Sequence, residues 1–434
     1  MLSCGGGETG VFFYIDPGTG SMLFTILIGV LSAAIYALRN AVVKVRFLKS
    51  GGRRKGEEEK RTPFVFFTDS KRYWSIFKPL CDEMEKREQE VLYLTAEEDD
   101  PMLKEQWRHV HAEFSGEGNK TYARMNMIKA DVVLSSTPGL DVYQWKRSRD
   151  AKWYAHVLHA ADDITKYRMF GVDYYDALLL CGERQAEDIR KLEKLRNLPA
   201  KETVLVGSLP LDALREKMLA AGPVPEHPTT VLLAPSWGPS SIFNRFGSKI
   251  IDGLLKTAYH IIIRPHPQSF VSEAEMINQL MEQYPESDRL EWNRDNDNFE
   301  VLRRSDVMIS DFSGVMFDFA LVFEKPVIYA DVSFDKGPYD AWWLDDELWS
   351  STTAARMGTQ LTEDNIEHID DVIENSLNTP VFREKINEIR EEIWVNTGRS
   401  VESVTDYLIR TRERLLAEEQ AAEEQKNQYV RETA

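Results

Sequence analysis

Short apolar runs alternate with segments of helical periodicity along most of this 434-residue chain, and this alternation limits its fold more than any other feature. FVFFTDS (64–70) and VLYLTA (91–96) predict strands, and the segment between them carries apolar residues at helical spacing. Strands that alternate with helices form βαβ units around a parallel sheet. We therefore predict an α/β fold.

The alternation occurs in two series, separated by the proline- and glycine-rich segment AAGPVPEHPTT (220–230), which is typical of an interdomain linker. Further strands are predicted at 131–136, 153–160, 177–182 and 203–208 before the linker, and at 230–235, 260–265, 306–310 and 326–330 after it. We predict two Rossmann-like doubly wound domains, 63–222 and 223–400, with a cleft between them. A C-terminal helix and tail, 401–434, would follow.

An uncharged stretch near the front of the chain, residues 20–38, predicts a transmembrane helix, because roughly 20 apolar residues span a bilayer core. Cations follow this stretch and acidic residues precede it, the wrong order for a cleaved signal peptide. The positive-inside rule then places its C-terminal side in the cytoplasm. A buried core helix is the alternative, but it leaves the charge asymmetry unexplained. We predict an extracytoplasmic segment (1–19), a single-pass anchor in the cell membrane, a basic, charged linker (39–62) and cytoplasmic domains in contact with the lipid bilayer.

Charge and cysteine usage exclude several classes of protein. The formal net charge is −18 and no basic stripe with interleaved aromatic residues occurs, which argues against a nucleic-acid partner. The three cysteines are scattered, so neither a disulfide framework nor a zinc site is indicated. Asp162 and Asp163 are the nearest candidates for metal ligands, and an acidic start of a helix explains them better. We predict no metal and no cofactor.

A stiff polar loop, RPHP (264–267), follows a predicted strand of the second domain. Pro265 and Pro267 fix the backbone on either side of His266. Arginine and histidine side chains commonly donate hydrogen bonds to phosphate oxygens, and a packing role would need neither Arg264 nor His266. The alternative for Arg264 is a structural ion pair. The loop predicts a phosphate site.

A second loop of that domain has the sequence SDFSG. Ser310 ends a predicted strand, Asp311 and Ser313 lie where N-cap residues are expected, and Gly314 lets a ligand approach the backbone. A helix N-terminus after a parallel strand attracts anions, although such residues also cap helices that bind nothing. Ser236 belongs to a third loop, PSWGPSS, at the same predicted edge. Together the loops favour a donor that contains phosphate.

The first domain carries two histidines near the end of a predicted strand, His156 and His159. Side chains three residues apart on a strand point to opposite faces, so only one of them is expected to face the cleft. His159, at the strand end, is the candidate general base for an acceptor hydroxyl. A structural histidine is the alternative.

The segments RPHP, SDFSGVMFDFALVFEKPVIY, LLAPSW and VGSLPLDAL resemble the signature segments of the CDP-glycerol glycerophosphotransferase family, the teichoic-acid primases and polymerases. The resemblance extends over residues 153–330. It implies a GT-B fold and transfer of glycerol phosphate from CDP-glycerol, or a related CDP-alditol, to a membrane-linked acceptor, with release of CMP. It also implies that His159 is the base, that His266 contacts the diphosphate, and that Ser310, Asp311 and Ser313 belong to the diphosphate-binding turn.

Two departures from the family pattern keep other functions open. Residues 160–162 replace a usual Gly-Thr-Pro, and Gly238 and Pro239 stand where a basic residue is common. One alternative is a GT-B glycosyltransferase or epimerase that uses a UDP-sugar and releases UDP. The other is a membrane-tethered scaffold that binds a nucleotide without turnover.

Overall fold

The computed structural model describes residues 61–433, apart from 296, 331 and 380, and this part of the chain is built on two β-sheets. The strands of the first sheet are β1 (Thr62–Thr68), β2 (Val91–Thr95), β3 (Val110–Phe114), β4 (Ala130–Ser135), β5 (Ala151–Val157), β6 (Ala177–Leu180) and β7 (Glu202–Leu205). The strands of the second are β8 (Thr230–Ala234), β9 (His260–Ile263), β10 (Leu290–Trp292), β11 (Val307–Ser310), β12 (Val327–Ala330) and β13 (Gly358–Leu361).

Helices connect the strands and cover the sheets. They are α1 (Trp74–Lys86), α2 (Asn119–Met125), α3 (Glu183–Arg196), α4 (Leu209–Ala221), α5 (Ile242–Phe246), α6 (Lys249–Lys256), α7 (Ser269–Ser272), α8 (Ala274–Gln283), α9 (Phe299–Arg304), α10 (Val315–Phe323), α11 (Trp349–Met357), α12 (Ile369–Asn378), α13 (Val381–Ile393) and α14 (Ser400–Thr433). None of the helices described is both long enough and apolar enough to cross a membrane. The predicted span at 20–38, the segment before it and the linker up to residue 60 lie outside the described residues.

Both sheets are parallel and doubly wound. Their strand orders are β3-β2-β1-β4-β5-β6-β7 and β10-β9-β8-β11-β12-β13. The direction of winding reverses between β1 and β4 in the first sheet and between β8 and β11 in the second. Ligands of such sheets bind at this switch point, beyond the carboxyl ends of the strands. The predicted α/β fold with two parallel sheets is confirmed.

Ten strands lie where apolar runs predict them, and three that the sequence analysis missed, β3, β10 and β13, are all edge strands. β3 (VHAEF) alternates buried and more exposed residues, and β10 (LEW) has only three residues. Strands buried on both faces of a parallel sheet need continuous apolar runs, whereas edge strands do not. The missing apolar run therefore explains the missed strands.

The C-terminal helix α14 packs on the first sheet rather than the second. Val404 and Leu408 of α14 are fully buried in one apolar cluster with Phe64 of β1 and Phe77 of α1. The chain therefore crosses back to its first half at the end. The domain limits drawn from the sequence stay a prediction.

A buried ion-pair cluster joins the two halves. Arg196, at the end of α3, contacts Asp173 at 2.7 Å and Asp340 of the second half at 2.6 Å, and all three side chains are at most 6% exposed. The guanidinium carbon also lies 4.8 Å from the ring centroid of Phe170 and 5.2 Å from that of Trp343. This cluster fixes the segment around Asp340 against the first half.

Asp163 makes a second link between the halves. Its carboxylate accepts hydrogen bonds from the backbone N–H groups of Trp349 and Ser350, both at 2.8 Å, at the start of α11. The acidic pair Asp162 and Asp163 predicts the start of a local helix. Asp163 instead caps a helix of the other half, a contact that sequence spacing cannot show.

Candidate functional site

A cavity of about 480 Å³ lies between the carboxyl ends of the two sheets. The first half contributes His159 and Asp162 to its lining. The second half contributes Arg264, His266, Ser313, Gly314 and Asp318. The structure thus brings the predicted acceptor-side histidine and part of the predicted phosphate-binding set to one cavity.

His159 lies in the loop that follows β5, while His156 is fully buried within the strand. The ring of His159 stacks on Tyr167, and its Nδ1 lies 2.8 Å from the Tyr167 hydroxyl oxygen. The same hydroxyl lies 3.4 Å from Nε2 of His156. Nε2 of His159 has no hydrogen-bond partner among the described residues. The contacts are consistent with a chain in which Nδ1–H of His159 donates to Tyr167 and leaves Nε2 as the basic atom.

Both histidines are neutral at pH 7. Burial lowers the pKa of His159 to about 4, and the positive charge of Arg72 contributes to this shift. Burial also lowers the pKa of His156 to about 3, with a smaller effect from His159. A general base must be unprotonated before the reaction, so the environment keeps His159 in the required state.

Arg264 follows β9 and is held in place by neutral acceptors. One guanidinium nitrogen donates to the Asn293 side-chain oxygen at 2.5 Å and to the backbone carbonyl of Asp295 at 2.8 Å. Within the described part of the chain it forms no ion pair with a carboxylate at contact distance. The charges of Asp295 and Asp297 nevertheless act on Arg264, and its contact with a ligand stays a prediction.

His266 is oriented by the stiff loop around it. Its Nδ1 accepts a hydrogen bond from the backbone N–H of Gln268 at 3.1 Å, which places the ring proton on Nε2. Burial lowers the pKa of His266, and Arg72 and Arg264 lower it further. His266 is therefore a neutral donor at the cavity, suited to bond a phosphate oxygen.

Ser310 and Asp311 are engaged within the protein. The buried Ser310 hydroxyl donates to the backbone carbonyl of Ala234 at 2.7 Å. The buried Asp311 carboxylate accepts from the backbone N–H groups of Ser236 at 3.1 Å and Ile242 at 3.0 Å. These contacts tie the loop after β8 to the loop after β11. None of Ser310, Asp311 and Ser236 lines the cavity, and their contact with a ligand stays a prediction.

The turn before α10 differs in detail from its predicted form. The N-cap residue is Gly314, without a side-chain hydrogen bond, so neither Asp311 nor Ser313 caps this helix as expected. Asp311 accepts instead from Ile242, the first residue of α5. Ser313 and Gly314, which immediately precede α10, line the cavity, so the positive end of the helix dipole lies at the edge of the cavity.

Four residues near the cavity were missed by the sequence analysis. Tyr167 contacts His159, and the ring centroid of Tyr73 lies 5.0 Å from that of His159. The charge of Arg72 lowers the pKa of His159 and that of His266. The signal for Arg72 and Tyr73 was their position directly after a predicted strand. The fourth is Asp318.

Asp318 carries a strongly perturbed carboxyl group in the cavity lining. Burial raises its pKa to about 7, and the neighbouring charge of Asp162 adds to this. Asp162 itself pairs with Lys166 at 2.8 Å, and Lys166 also donates to the backbone carbonyl of Phe312 at 3.1 Å. Lys166 is therefore already occupied by partners from both halves.

Part of the chain matches the model of a known protein family. The model of CDP-glycerol:poly(glycerophosphate) glycerophosphotransferase matches residues 190–407, about half of the chain. The match covers the RPHP loop, α10 and the first eight residues of α14. No curated protein sequence matches the chain.

Solved structures with a similar fold include the wall teichoic acid polymerase TagF with CDPG. TagF shares 15% sequence identity, the match covers 90% of this chain and 99% of TagF, and the TM-score is 0.53. A UDP-GlcNAc 2-epimerase from Methanocaldococcus jannaschii shares 12% identity over 81% of this chain and 99% of its own, with a TM-score of 0.49. The likeness to TagF supports the fold.

Proposed function

Because this chain belongs to the CDP-glycerol:poly(glycerophosphate) glycerophosphotransferase family, it is a transferase of that type, and we propose that it moves glycerol phosphate, or a related alditol phosphate, from a CDP-activated donor to an acceptor hydroxyl and releases CMP. The observation that carries this proposal is the cavity that joins His159 of the first half to Arg264, His266 and the start of α10 in the second.

His159 acts as the general base in the proposed reaction. The acceptor hydroxyl oxygen forms a bond to the β-phosphorus of the donor while Nε2 of His159 takes its proton. The bond between that phosphorus and the oxygen that bridges it to the α-phosphate breaks, and CMP leaves with the electron pair. The low pKa of His159 keeps the base unprotonated before the attack.

The second half binds the diphosphate in this mechanism. Nε2–H of His266 and the Arg264 guanidinium donate to its oxygens, and the N-terminus of α10 adds backbone dipoles. Such preorganised charge is the main contribution that proteins make to phosphoryl transfer. Ser310 and Asp311 support this site by holding the two loops together.

The acceptor belongs to a polymer of the cell envelope, of the teichoic-acid type, and is linked to a membrane. The apolar run at residues 20–38 and the cations after it support an anchor in the cell membrane with the catalytic domains on the cytoplasmic side. TagF, which shares the fold, is a wall teichoic acid polymerase. These features together favour a membrane-linked acceptor.

The released nucleotide tests the proposal. The full chain in detergent micelles is incubated with CDP-glycerol, CDP-ribitol or UDP-sugars, and with a membrane extract as acceptor. CMP release that His159→Ala and His266→Ala both abolish is the expected result. UDP release would favour a UDP-sugar enzyme instead. Binding of CDP-glycerol without release of any nucleotide would favour the scaffold.

Replacing Tyr167 by phenylalanine is expected to lower kcat roughly tenfold, while the KM for the donor stays unchanged. The substitution removes the hydrogen bond that fixes the tautomer of His159, and one buried hydrogen bond contributes about 0.5–1.5 kcal/mol. Steady-state release of CMP measures the effect. Tyr143→Phe is the control, since the Tyr143 hydroxyl bonds the exposed backbone carbonyl of Met169. An unchanged kcat in Tyr167→Phe would exclude a positioning role for Tyr167.

A further inference from the structure

Arg72 occupies the switch point of the first sheet. It lies in the short 3₁₀ helix Lys71–Tyr73, directly after β1, and the winding of the sheet reverses between β1 and β4. The hydroxyl of Ser70 accepts from the backbone N–H of Arg72 and so fixes the start of this turn. A loop in this position faces the ligand cleft of a doubly wound sheet.

The guanidinium of Arg72 retains most of its hydrogen-bonding capacity. Its Nε donates to the Ser70 hydroxyl at 3.1 Å, and its central carbon lies 5.9 Å from the ring centroid of Tyr73. Among the residues that the structure describes, no carboxylate pairs with it at contact distance, although its charge acts on Asp69. The adjacent cation, Lys71, is instead paired with Asp99.

Arg72 adjoins the residue whose ring packs against His159. The ring centroid of its neighbour Tyr73 is 5.0 Å from that of His159. The charge of Arg72 lowers the pKa of His159 and that of His266, and it affects His266 more strongly than Arg264 does. Arg72 itself is exposed and does not line the cavity described above, so its guanidinium would reach a bound ligand from the solvent side.

We infer that Arg72 is a further catalytic residue, whose guanidinium contacts the equatorial oxygens of the transferred phosphoryl group. This inference rests on the proposed function. In that reaction the phosphorus passes between His159 and the diphosphate site of the second half, and its equatorial oxygens carry the developing charge. The planar guanidinium can bond two of those oxygens at once. In this step Arg72 acts through its charge and hydrogen bonds and transfers no proton.

The first test measures turnover in Arg72→Gln and Arg72→Lys, with Lys71→Gln as a matched control. All are prepared as the full chain in detergent micelles. We expect kcat for CMP release to fall about 10²–10³-fold in Arg72→Gln, which loses one preorganised donor. Arg72→Lys should recover part of the loss, and Lys71→Gln should stay within about twofold of the wild type, because Lys71 pairs with Asp99. An unchanged kcat in Arg72→Gln would overturn the inference.

The pH profile distinguishes a catalytic cation from a merely structural residue. Arg72 lowers the pKa of His159, so its loss should raise that pKa and move the acidic limb of kcat/KM to higher pH. Arg72→Lys retains the charge and should retain the profile. If the acidic limb of kcat/KM lies at the same pH for Arg72→Gln and for the wild type, the guanidinium does not lie near His159 as inferred.

Pyrophosphate binding separates this inference from the proposed function. Isothermal titration needs no turnover, and we expect Arg72→Gln to bind pyrophosphate about tenfold more weakly than the wild type, while Lys71→Gln binds normally. If the wild type releases no CMP but shows this difference, the proposed function fails and the phosphate contact of Arg72 stands. If the wild type binds no pyrophosphate, or binds it independently of Arg72, and turnover is also absent, the inference fails as well.

Discussion

Replacing His159 by alanine should lower kcat for CMP release about 10²–10⁴-fold, the usual contribution of a general base, while the donor continues to bind. His159 is the histidine of the first half that lines the cavity, and burial holds its pKa at about 4. The proposed diphosphate contacts come from the other half, so removal of the imidazole should leave them in place. Steady-state nucleotide release measures kcat, and titration with CDP-glycerol measures binding.

His111→Ala is the matched control for this substitution. His111 lies on the edge strand β3, and its side chain is 61% exposed, so kcat should stay at the wild-type value. Full activity of His159→Ala beside an active wild type would remove His159 from the mechanism. An inactive wild type that still binds CDP-glycerol would instead favour the scaffold.

The dependence of stability on pH limits the pH range in which kcat can be measured. The pKa values of His156 and His159, about 3 and about 4, lie below the usual value of 6.5. Between these values the unfolded chain binds more protons than the folded protein, so these two groups make stability fall as pH decreases through that range. Activity at low pH should therefore be recorded only where near-UV circular dichroism shows the native signal.

Replacing Arg196 by methionine should lower the free energy of unfolding by about 3–5 kcal/mol, because it leaves two buried carboxylates without their cation. Asp173 and Asp340 are 6% and 1% exposed and have Arg196 as their shared partner. Burial raises the pKa of Asp340 to about 6 even with Arg196 present, so its carboxyl group should take up a proton in the variant. Urea unfolding of the full chain, followed by tryptophan fluorescence, measures the change.

Lys217→Met is the control for the buried cluster. Lys217 pairs with Asp297 at the surface, where the side chains are 48% and 63% exposed. Pairs of this kind contribute about 0–1 kcal/mol, so the urea midpoint should hardly move. Equal shifts for the two variants would mean that the Arg196 cluster has no special role in joining the halves.

The central strands of both sheets could be predicted from the sequence because each needs a continuous apolar run. FVFF and VLLA are such runs, and they became β1 and β8, which have a neighbouring strand on each side. GTQL, which became the edge strand β13, has no such run. Burial on both faces leaves a signal in the sequence that burial on one face does not.

The location of the candidate site could also be predicted, but not the task of each side chain. RPHP and SDFSG both follow strands, and position in the chain alone places them at the cavity edge. Whether a serine or an aspartate there faces a ligand or a neighbouring loop depends on contacts such as that of Asp311 with Ile242, 69 positions away in the chain. Tyr167 was missed because a hydrogen bond to His159 leaves no periodic signal.

The return of α14 to the first sheet has a consequence for biosynthesis. Arg61, beside β1, and Glu419 of α14 form an ion pair across 358 positions of the chain. A ribosome that adds about 5–20 residues per second needs on the order of tens of seconds to make that length. During this time the apolar face around Phe64 and Phe77 has emerged without the helix that covers it. Until α14 is made, the nascent chain therefore exposes this apolar face, and transiently exposed apolar surface of this kind favours aggregation.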